Sequence, residues 1–374
     1  MKRVLMLIAV FFMGWPVVRA NGPLQVKFRS RALLDATVSG YGKEKAQGYY
    51  RIEDFRAGFK ATYGRFEIKA DVGIGDGKLA FKDLVLGYRF KNGMLSFGNS
   101  YEPFSMDMLI STANLRFHQS SASVLAFTDG RKLGVTYHFY NARWYLGTGI
   151  YTHNDLNEIG DGQRNAFVST SRAVWRKQGS DHRLLHFGGA FSFRTQEVNA
   201  PEAPTGEIGC VGITSMFPAP LLGAGISDKG SEVKGVMEAL LTAPRFMLQA
   251  EYYFDRFGRT GGKHAFCPHG GYIQGGFLVK GRGFGYDSVY GIPGRPVSSQ
   301  AIELVARFNY TDLNDGKAQI RGGEEKDLSL GINFYLNEYF GVKVNGGYVW
   351  VGRHCNSFYQ EDFFLVQARM QYIF

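Results

Sequence analysis

The sequence predicts an all-β protein, a sixteen-stranded antiparallel transmembrane β-barrel with inward-folded loops. The last twelve residues, 363–374, alternate apolar side chains on one face with polar side chains on the other, as a strand between lipid and water requires. Aromatic residues make up 15% of the chain, and 49 glycines stand against 11 prolines, which is typical of many strands joined by tight turns. The mean hydropathy of −0.18 agrees, because every second residue of such a strand faces water.

The first twenty residues are predicted to be a secretory signal peptide. They combine a basic start with an interrupted apolar run and end on a small residue, Ala20, as a cleavage site requires. No later stretch reaches the roughly 20 apolar residues of a membrane helix. Residues 21–374 are therefore predicted to form a single barrel. Removing residues 1–20 takes three basic residues from the net charge of +10 and leaves +7.

The first two strands place a group of cations on one face. The first strand, expected at residues 24–36, alternates apolar residues such as Val26 and Phe28 with Lys27, Arg29 and Arg31. The second strand, expected at residues 51–63, carries two further cations on its polar face: Arg56 and Lys60. Because strand side chains alternate between faces, all five cations are expected to face the lumen.

Fourteen further strands follow the same two-residue period. They are expected at residues 65–73, 79–90, 93–100, 131–140, 143–151, 166–176, 182–194, 232–241, 246–256, 270–281, 301–312, 326–336, 342–352 and 363–374. In an antiparallel barrel, odd and even connections lie on opposite sides of the membrane. With the first strand leaving the periplasm, the periplasmic connections are short and the outer ones long. Residues 282–299 are the exception, and they are predicted to be a periplasmic turn folded into the lumen.

Seven short segments resemble the phosphate-selective porin O and P family in order and spacing. They are residues 31–35, 55–58, 97–105, 130–134, 303–307, 330–335 and 371–374. The resemblance covers nearly the whole mature chain. It implies a homotrimeric channel integral to the Gram-negative outer membrane, with three segments folded into the lumen: residues 101–129, 195–231 and 282–299.

The resemblance also implies which residues line the pore. Arg31 and Arg56 match arginines that line the family's pore, and Lys27, Arg29 and Lys60 extend this basic patch, while Arg116 lies where the constriction is expected. Fixed cations in a narrow wet channel concentrate anions and repel cations. The planar fork of arginine suits phosphate. An outer-membrane porin that passes small hydrophilic solutes, prefers anions and takes up phosphate or polyphosphate is therefore predicted.

The residues leave two alternatives open. The lumen cations could pair with acids on neighbouring strands, namely Asp35, Glu67, Asp71 and Asp83, which would give a non-selective general diffusion pore. Residues 195–231 carry Lys229 as their one cation against three glutamates, so the sequence does not decide whether phosphate is selected. The second alternative is a barrel that serves as an adhesin or anchor.

The remaining reactive residues suggest no further chemistry. Three cysteines fall in predicted outer loops of an oxidising compartment, where one disulfide and one free thiol would be compatible with the sequence: Cys210, Cys267 and Cys355. His264 and His269 flank Cys267 at a loose spacing, and no metal site is predicted. Because no nucleophile and base form a recognisable motif, no catalytic residue or cofactor is predicted, and the protein is not expected to be an enzyme.

Overall fold

A computed structural model describes residues 24–41, 47–75, 78–158, 166–196, 206–217, 219–357, 359 and 361–374. Sixteen antiparallel strands form one closed barrel, which confirms the predicted fold class and strand number. The predicted signal peptide lies outside the described residues. Among the residues described, no helix is long and apolar enough to cross a membrane.

The barrel strands follow one another around the wall in chain order. They are β1 (Leu24–Tyr41), β2 (Gln47–Tyr63), β3 (Phe66–Gly75), β4 (Lys78–Phe90), β5 (Gly93–Ser100), β6 (Lys132–Tyr140), β7 (Trp144–Thr152), β8 (Phe167–Gln178), β9 (Leu184–Arg194), β12 (Lys229–Thr242), β13 (Phe246–Arg259), β14 (His269–Lys280), β17 (Ala301–Asp315), β18 (Ile320–Tyr335), β19 (Phe340–Val351) and β20 (Phe363–Ile373). Two hairpins lie apart from the wall: β10 (Gly206–Cys210) with β11 (Leu222–Ile226), and β15 (Phe284–Asp287) with β16 (Ile292–Pro296).

Helices occur only in connections between the described strands. They are α1 (Met106–Leu109), α2 (Ala122–Phe127) and the 3-10 turns Thr112–Asn114 and Leu156–Glu158. Both α-helices are too short to be stable alone. Each begins at a serine whose hydroxyl accepts a hydrogen bond from a backbone N–H of the first turn, Ser105 from Met108 and Ser121 from Val124.

The closing strand meets the first strand as expected. β20 pairs antiparallel with β1, and Phe374 exchanges backbone hydrogen bonds of 3.0 and 2.8 Å with Ser30. On the inner side, Arg369 donates two hydrogen bonds of 2.6 Å to Asp35, and both side chains are buried. Pairing every strand on both edges leaves no open edge, which is the condition for a sheet in lipid.

Two-residue alternation persists through the wall and sets its two faces. In β7, for example, every second residue is buried and the others are exposed. The outward residues of the wall are largely apolar and aromatic, including Phe97, Phe167 and Phe364. β1 extends five residues past its predicted end because Thr37 and Ser39 continue the inward polar positions.

The segment 101–129, called the constriction loop below, folds into the lumen and is tied to the far wall. The backbone N–H groups of Met106 and Asp107 donate to the Glu251 carboxylate at 2.8 and 3.0 Å. Ser123 donates a 2.6 Å hydrogen bond to Asn309. Arg307 donates to the backbone oxygen of Gln119 at 2.9 Å. These bonds satisfy buried polar groups and hold the loop against β13 and β17.

The two hairpins also lie inside the barrel. Arg172 donates hydrogen bonds of 2.7 Å to the backbone oxygens of Tyr290 and Gly291, so the long periplasmic connection is folded inward. The outer hairpin β10–β11 packs its buried side chains with α2 and β18, forming an apolar core within the lumen. The β12–β19 side of the lumen is therefore filled by protein, and the open channel lies beside β1–β4.

Candidate functional site

The main cavity is a channel of about 490 Å³ between strands β1–β4 and the constriction loop. The strand side contributes mostly charged residues: Arg29, Arg31, Arg51, Glu53, Arg56, Lys69, Asp71 and Asp83. The loop side contributes apolar and small polar residues: Met108, Leu109, Ile110, Ser111, Thr112, Leu115, Gln119, Ser120 and Leu125. The two sides thus offer a solute different chemistry.

A second, smaller cavity of about 160 Å³ adjoins the first on the side of the short turns. Four residues line both cavities: Lys69, Asp83, Tyr101 and Leu109. The second cavity continues past Met94, close to the β4–β5 turn, and past Ile292 of the inner hairpin. The four shared residues therefore lie where the two cavities meet, a junction called the neck below.

The sheet register places the predicted cations of β1 and β2 side by side. Arg31 is directly opposite Arg56, and Lys27 is directly opposite Lys60. Lys60 is in turn opposite Lys69 of β3. Directly opposed side chains in an antiparallel pair lie about 5 Å apart at Cβ, so like charges here must be balanced by acids. The five cations are called the basic ladder below. Arg29, Arg31 and Arg56 line the main cavity, whereas Lys27 and Lys60 are not among its lining residues.

The basic ladder is largely balanced by carboxylates on adjacent positions. Arg29 donates two 2.7 Å hydrogen bonds to Asp71. Arg31 and Arg56 share Asp54, the second at 3.2 Å. Lys60 lies 2.6 Å from Glu67. Lys27 is exposed and has no ion pair among the described residues.

Three further cations that were not predicted from the sequence line the same side of the main cavity, and together with the ladder they form the basic wall. Arg51 pairs with Glu53, whereas Lys69 and Arg131 share Asp83. The signal for Lys69 was present, because it continues the inward period of β3. Arg131 could not be assigned in this way, since it precedes β6 and reaches the channel through the fold.

Lys82 is a fourth missed cation, and a break in the strand register brings it inward. The register of β3 against β4 shifts between Ala70 and Val72. A Cβ at Gly73 would lie 2.8 Å from Cε of Lys82, and Gly73 is the cross-strand partner of Arg56. Lys82 thus stands beside the ladder and has no ion pair within the described part of the chain.

The charges around the main cavity do not cancel. Counting described residues only, seven cations surround it: Arg29, Arg31, Arg51, Arg56, Lys69, Lys82 and Arg131. Four carboxylates face them: Glu53, Asp54, Asp71 and Asp83. The net charge of these side chains is therefore +3, and three of the carboxylates each pair with two cations: Asp54, Asp71 and Asp83.

Two arginines connect the basic wall to the inserted segments. Arg31 donates a 2.5 Å hydrogen bond to the hydroxyl of Ser111 in the constriction loop. Arg51 donates to Ser215, between β10 and β11, at 2.6 Å. Arg31 and Arg51 are thus each held between a carboxylate and an inserted segment, which preorganises their charges.

The prediction that Arg116 lines the pore is wrong. Its side chain is 1% exposed, lies 3.2 Å from Glu303 and donates a 3.1 Å hydrogen bond to the backbone oxygen of Gly294. Its guanidinium also lies over the ring of Phe284. Both side chains are buried, so separating the pair would leave an uncompensated charge away from water. Arg116 therefore locks the constriction loop to β17 and to the inner hairpin.

The ionisable groups of the constriction loop follow their burial and partners. Burial opposes ionisation of Glu102, but Lys132 and Lys234 hold the pKa of this carboxyl below its usual value. Burial raises the pKa of Asp107. Burial lowers the pKa of His118 to about 4, and among the described residues neither ring nitrogen has a hydrogen-bond partner. The loop therefore combines a charged anchor with groups that favour the neutral form.

The cysteines do not form the disulfide that the sequence would allow. All three are free thiols in the structure, with Cys210 buried, Cys267 exposed and Cys355 between these extremes. The thiol of Cys355 donates to the backbone oxygen of Glu324 at 3.0 Å, and burial raises its pKa to about 11. No group of three or more potential metal ligands occurs among the described residues.

A closed barrel with an apolar outer face and a charged channel beside an inserted loop defines an outer-membrane diffusion channel. Such a protein is integral to the Gram-negative outer membrane. The chain belongs to the phosphate-selective porin O and P family, whose sequence model matches residues 23–374.

A curated relative and several solved barrels are similar to the chain. An uncharacterised protein of Caulobacter vibrioides is 25% identical over 318 residues, 79% of this chain, and the match spans 62% of that relative's length. The trimer form of in-vitro folded OmpT of Vibrio cholerae has a TM-score of 0.59 at 12% identity, covering 94% of this chain and all of that one.

Two further solved structures have the same fold. The outer-membrane channel DcaP of Acinetobacter baumannii has a TM-score of 0.58 at 10% identity, with 96% of this chain and all of that one covered. OmpF of Salmonella typhi, in complex with daunomycin, has a TM-score of 0.57 at 11% identity, covering 95% of this chain and 99% of that one. At these identities the likeness concerns the fold.

Proposed function

We propose that this porin is a passive, non-catalytic channel that prefers small anions over cations. The observation that carries the proposal is the net charge of +3 around the main cavity, where seven cations face four carboxylates. Fixed charges at the edge of a narrow aqueous path raise the local concentration of counter-ions. Because the acids cancel only part of this charge, the anion preference is moderate.

Phosphate is one candidate solute, and the ladder supplies guanidinium groups that suit it. Each of these groups, however, already holds a carboxylate: Arg29 holds Asp71, whereas Arg31 and Arg56 share Asp54. A phosphate would have to displace or share these partners to be bound tightly. The same pairing favours the second candidate function, a general diffusion pore with little charge preference.

A homotrimer is part of the proposal. Membership of the porin family supports it, and one of the similar solved barrels is described as a trimer form. Unboiled protein in a detergent gel is expected to migrate as a trimer and to convert to monomer on boiling. Migration at monomer mass under both conditions would contradict this part of the proposal.

The anion preference is tested with the purified protein in a planar lipid bilayer. A gradient of potassium chloride is applied and the zero-current potential gives the ratio of chloride to potassium permeability. We expect large passive conductance steps and a ratio clearly above one in dilute salt. A ratio of one in dilute salt would establish the general diffusion pore, and the absence of open steps would favour an adhesin or anchor. Block of the chloride current by millimolar phosphate would establish phosphate binding.

A further inference from the structure

The two walls of the main cavity differ in chemistry, and this asymmetry bears on which anions fit. The strand wall carries the guanidinium groups of Arg29, Arg31 and Arg56. The facing constriction loop presents Met108 and Leu109, both partly exposed, in a row with Ile110. We name residues 108–110, together with Leu125 of α2, the apolar ledge.

The ledge is held in place from behind. Met108 and Leu125 pack on one side against the apolar core inside the barrel, and the backbone of α1 is fixed through Glu251. Leu109 also lines the neck to the second cavity, opposite Lys69 and Asp83. A solute that passes the neck therefore meets an aliphatic side chain on one side and fixed charge on the other.

A small inorganic anion gains little from this arrangement. It is hydrated on every side, and an apolar wall offers no donor to replace the water it would lose. Arg131 on the other wall is already engaged, since it donates to Asp83 at 2.6 Å and to the hydroxyl of Tyr101 at 2.9 Å. An organic acid can instead keep its carboxylate hydrated beside the arginines and lay its apolar body on the ledge.

We infer that the channel favours small organic anions that carry one or two carboxylates on an apolar body over inorganic phosphate. The inference rests on the proposed anion preference and adds a substrate class to it. Tyr101 strengthens it, because its ring lies 4.2 Å from the guanidinium carbon of Arg131 and so places an aromatic face at the neck beside a cation. Ser111, an exposed polar residue next to the ledge, leaves a wet edge for the carboxylate.

The test compares monovalent carboxylates, with inorganic phosphate beside them, as blockers of chloride current through single channels of the wild-type protein. We expect benzoate and hexanoate to half-block at concentrations at least fivefold below those of acetate and phosphate. Blocking strength in the series acetate, butyrate, hexanoate should rise with each added pair of methylene groups. Equal block by acetate, hexanoate and benzoate, or stronger block by phosphate, would overturn the inference.

Leu109→Ser tests the ledge itself, and Val297→Ser, at an exposed apolar position of the periplasmic turn, is its control. Leu109→Ser should bring benzoate block to the level of acetate, whereas Val297→Ser should match the wild type. Retained benzoate preference in Leu109→Ser would contradict a role of the ledge. If this variant fails to fold, the wild-type homologous series decides alone. Chloride-to-potassium permeability is measured in parallel, so a failed anion preference is recognised separately from a failed preference for organic anions.

Discussion

Removing two cations of the basic ladder should reduce the chloride-to-potassium selectivity by a predictable factor. Arg31→Gln with Arg56→Gln changes the net charge around the cavity from +3 to +1. For fixed charges about 8 Å from an ion on the channel axis, in a water-like dielectric at 0.1 M salt, each net charge changes the ion's energy by about 0.2 kcal/mol. Attraction of the anion and repulsion of the cation both contribute to the permeability ratio.

Three net charges therefore give a chloride-to-potassium permeability ratio of about ten, and one net charge gives about two. At 1 M salt the screening length falls to about 3 Å, and both ratios should approach one. The assay is the zero-current potential of single bilayers at both salt concentrations. Both substituted side chains lie on the water-filled face, so the lipid-facing residues of the wall are unchanged.

A matched control removes the same two charges elsewhere. Lys91→Gln with Lys317→Gln alters exposed residues in two turns and should leave the ratio near ten. The electrostatic reasoning is refuted if the ladder variant keeps the wild-type ratio, or if the control loses as much selectivity as the ladder variant. A fall that persists unchanged at 1 M salt would also refute it, since screening must weaken a through-water effect.

Four further outcomes are expected. Asp54→Asn should raise the permeability ratio to about twenty, because the net charge becomes +4; an unchanged ratio would contradict the count. Arg116→Met should destabilise the folded barrel by about 3–5 kcal/mol in urea titrations, because Glu303 loses its buried partner. Adding Glu303→Gln should recover most of the lost stability; no recovery would contradict the pairing. The His118 pKa of about 4 lies below its unfolded value of 6.5, so this residue's contribution to stability is lost as pH falls below 6.5, on the order of 2 kcal/mol at pH 5. Between pH 7 and pH 5, His118→Phe should therefore lose about 2 kcal/mol less stability than the wild type; an equal loss in both proteins would contradict the neutral form. Phe374→Ala should lower the outer-membrane yield. The melting temperature of the assembled barrel should stay unchanged, because the Phe374 ring is about one-third exposed at the rim. A normal yield would show that the terminal aromatic residue is not recognised during assembly.

The sequence was sufficient for the wall of the barrel because strand periodicity is local. Alternation with a period of two identifies each strand and also assigns each side chain to lipid or lumen. Arg31 and Arg56 could be placed in the lumen on this basis alone, and the antiparallel pairing of β1 with β2 then sets them opposite each other. The signal was also present for Lys69, which continues the same period in β3.

The tertiary structure alone decided which charges inside the wall are buried, paired or free. Arg116 sits in a loop without periodicity, so its burial beside Glu303 depends on a contact between residues 187 positions apart. Lys82 and Arg131 reach the channel through a register break and a loop end, which alternation does not encode. Whether a lumen cation is free or paired depends on cross-strand distances of a few ångströms, and the shared Asp54 sets the balance of charge at the ladder. Composition and spacing do not determine such distances, because these distances arise only when the sheet closes and the constriction loop docks on the far wall.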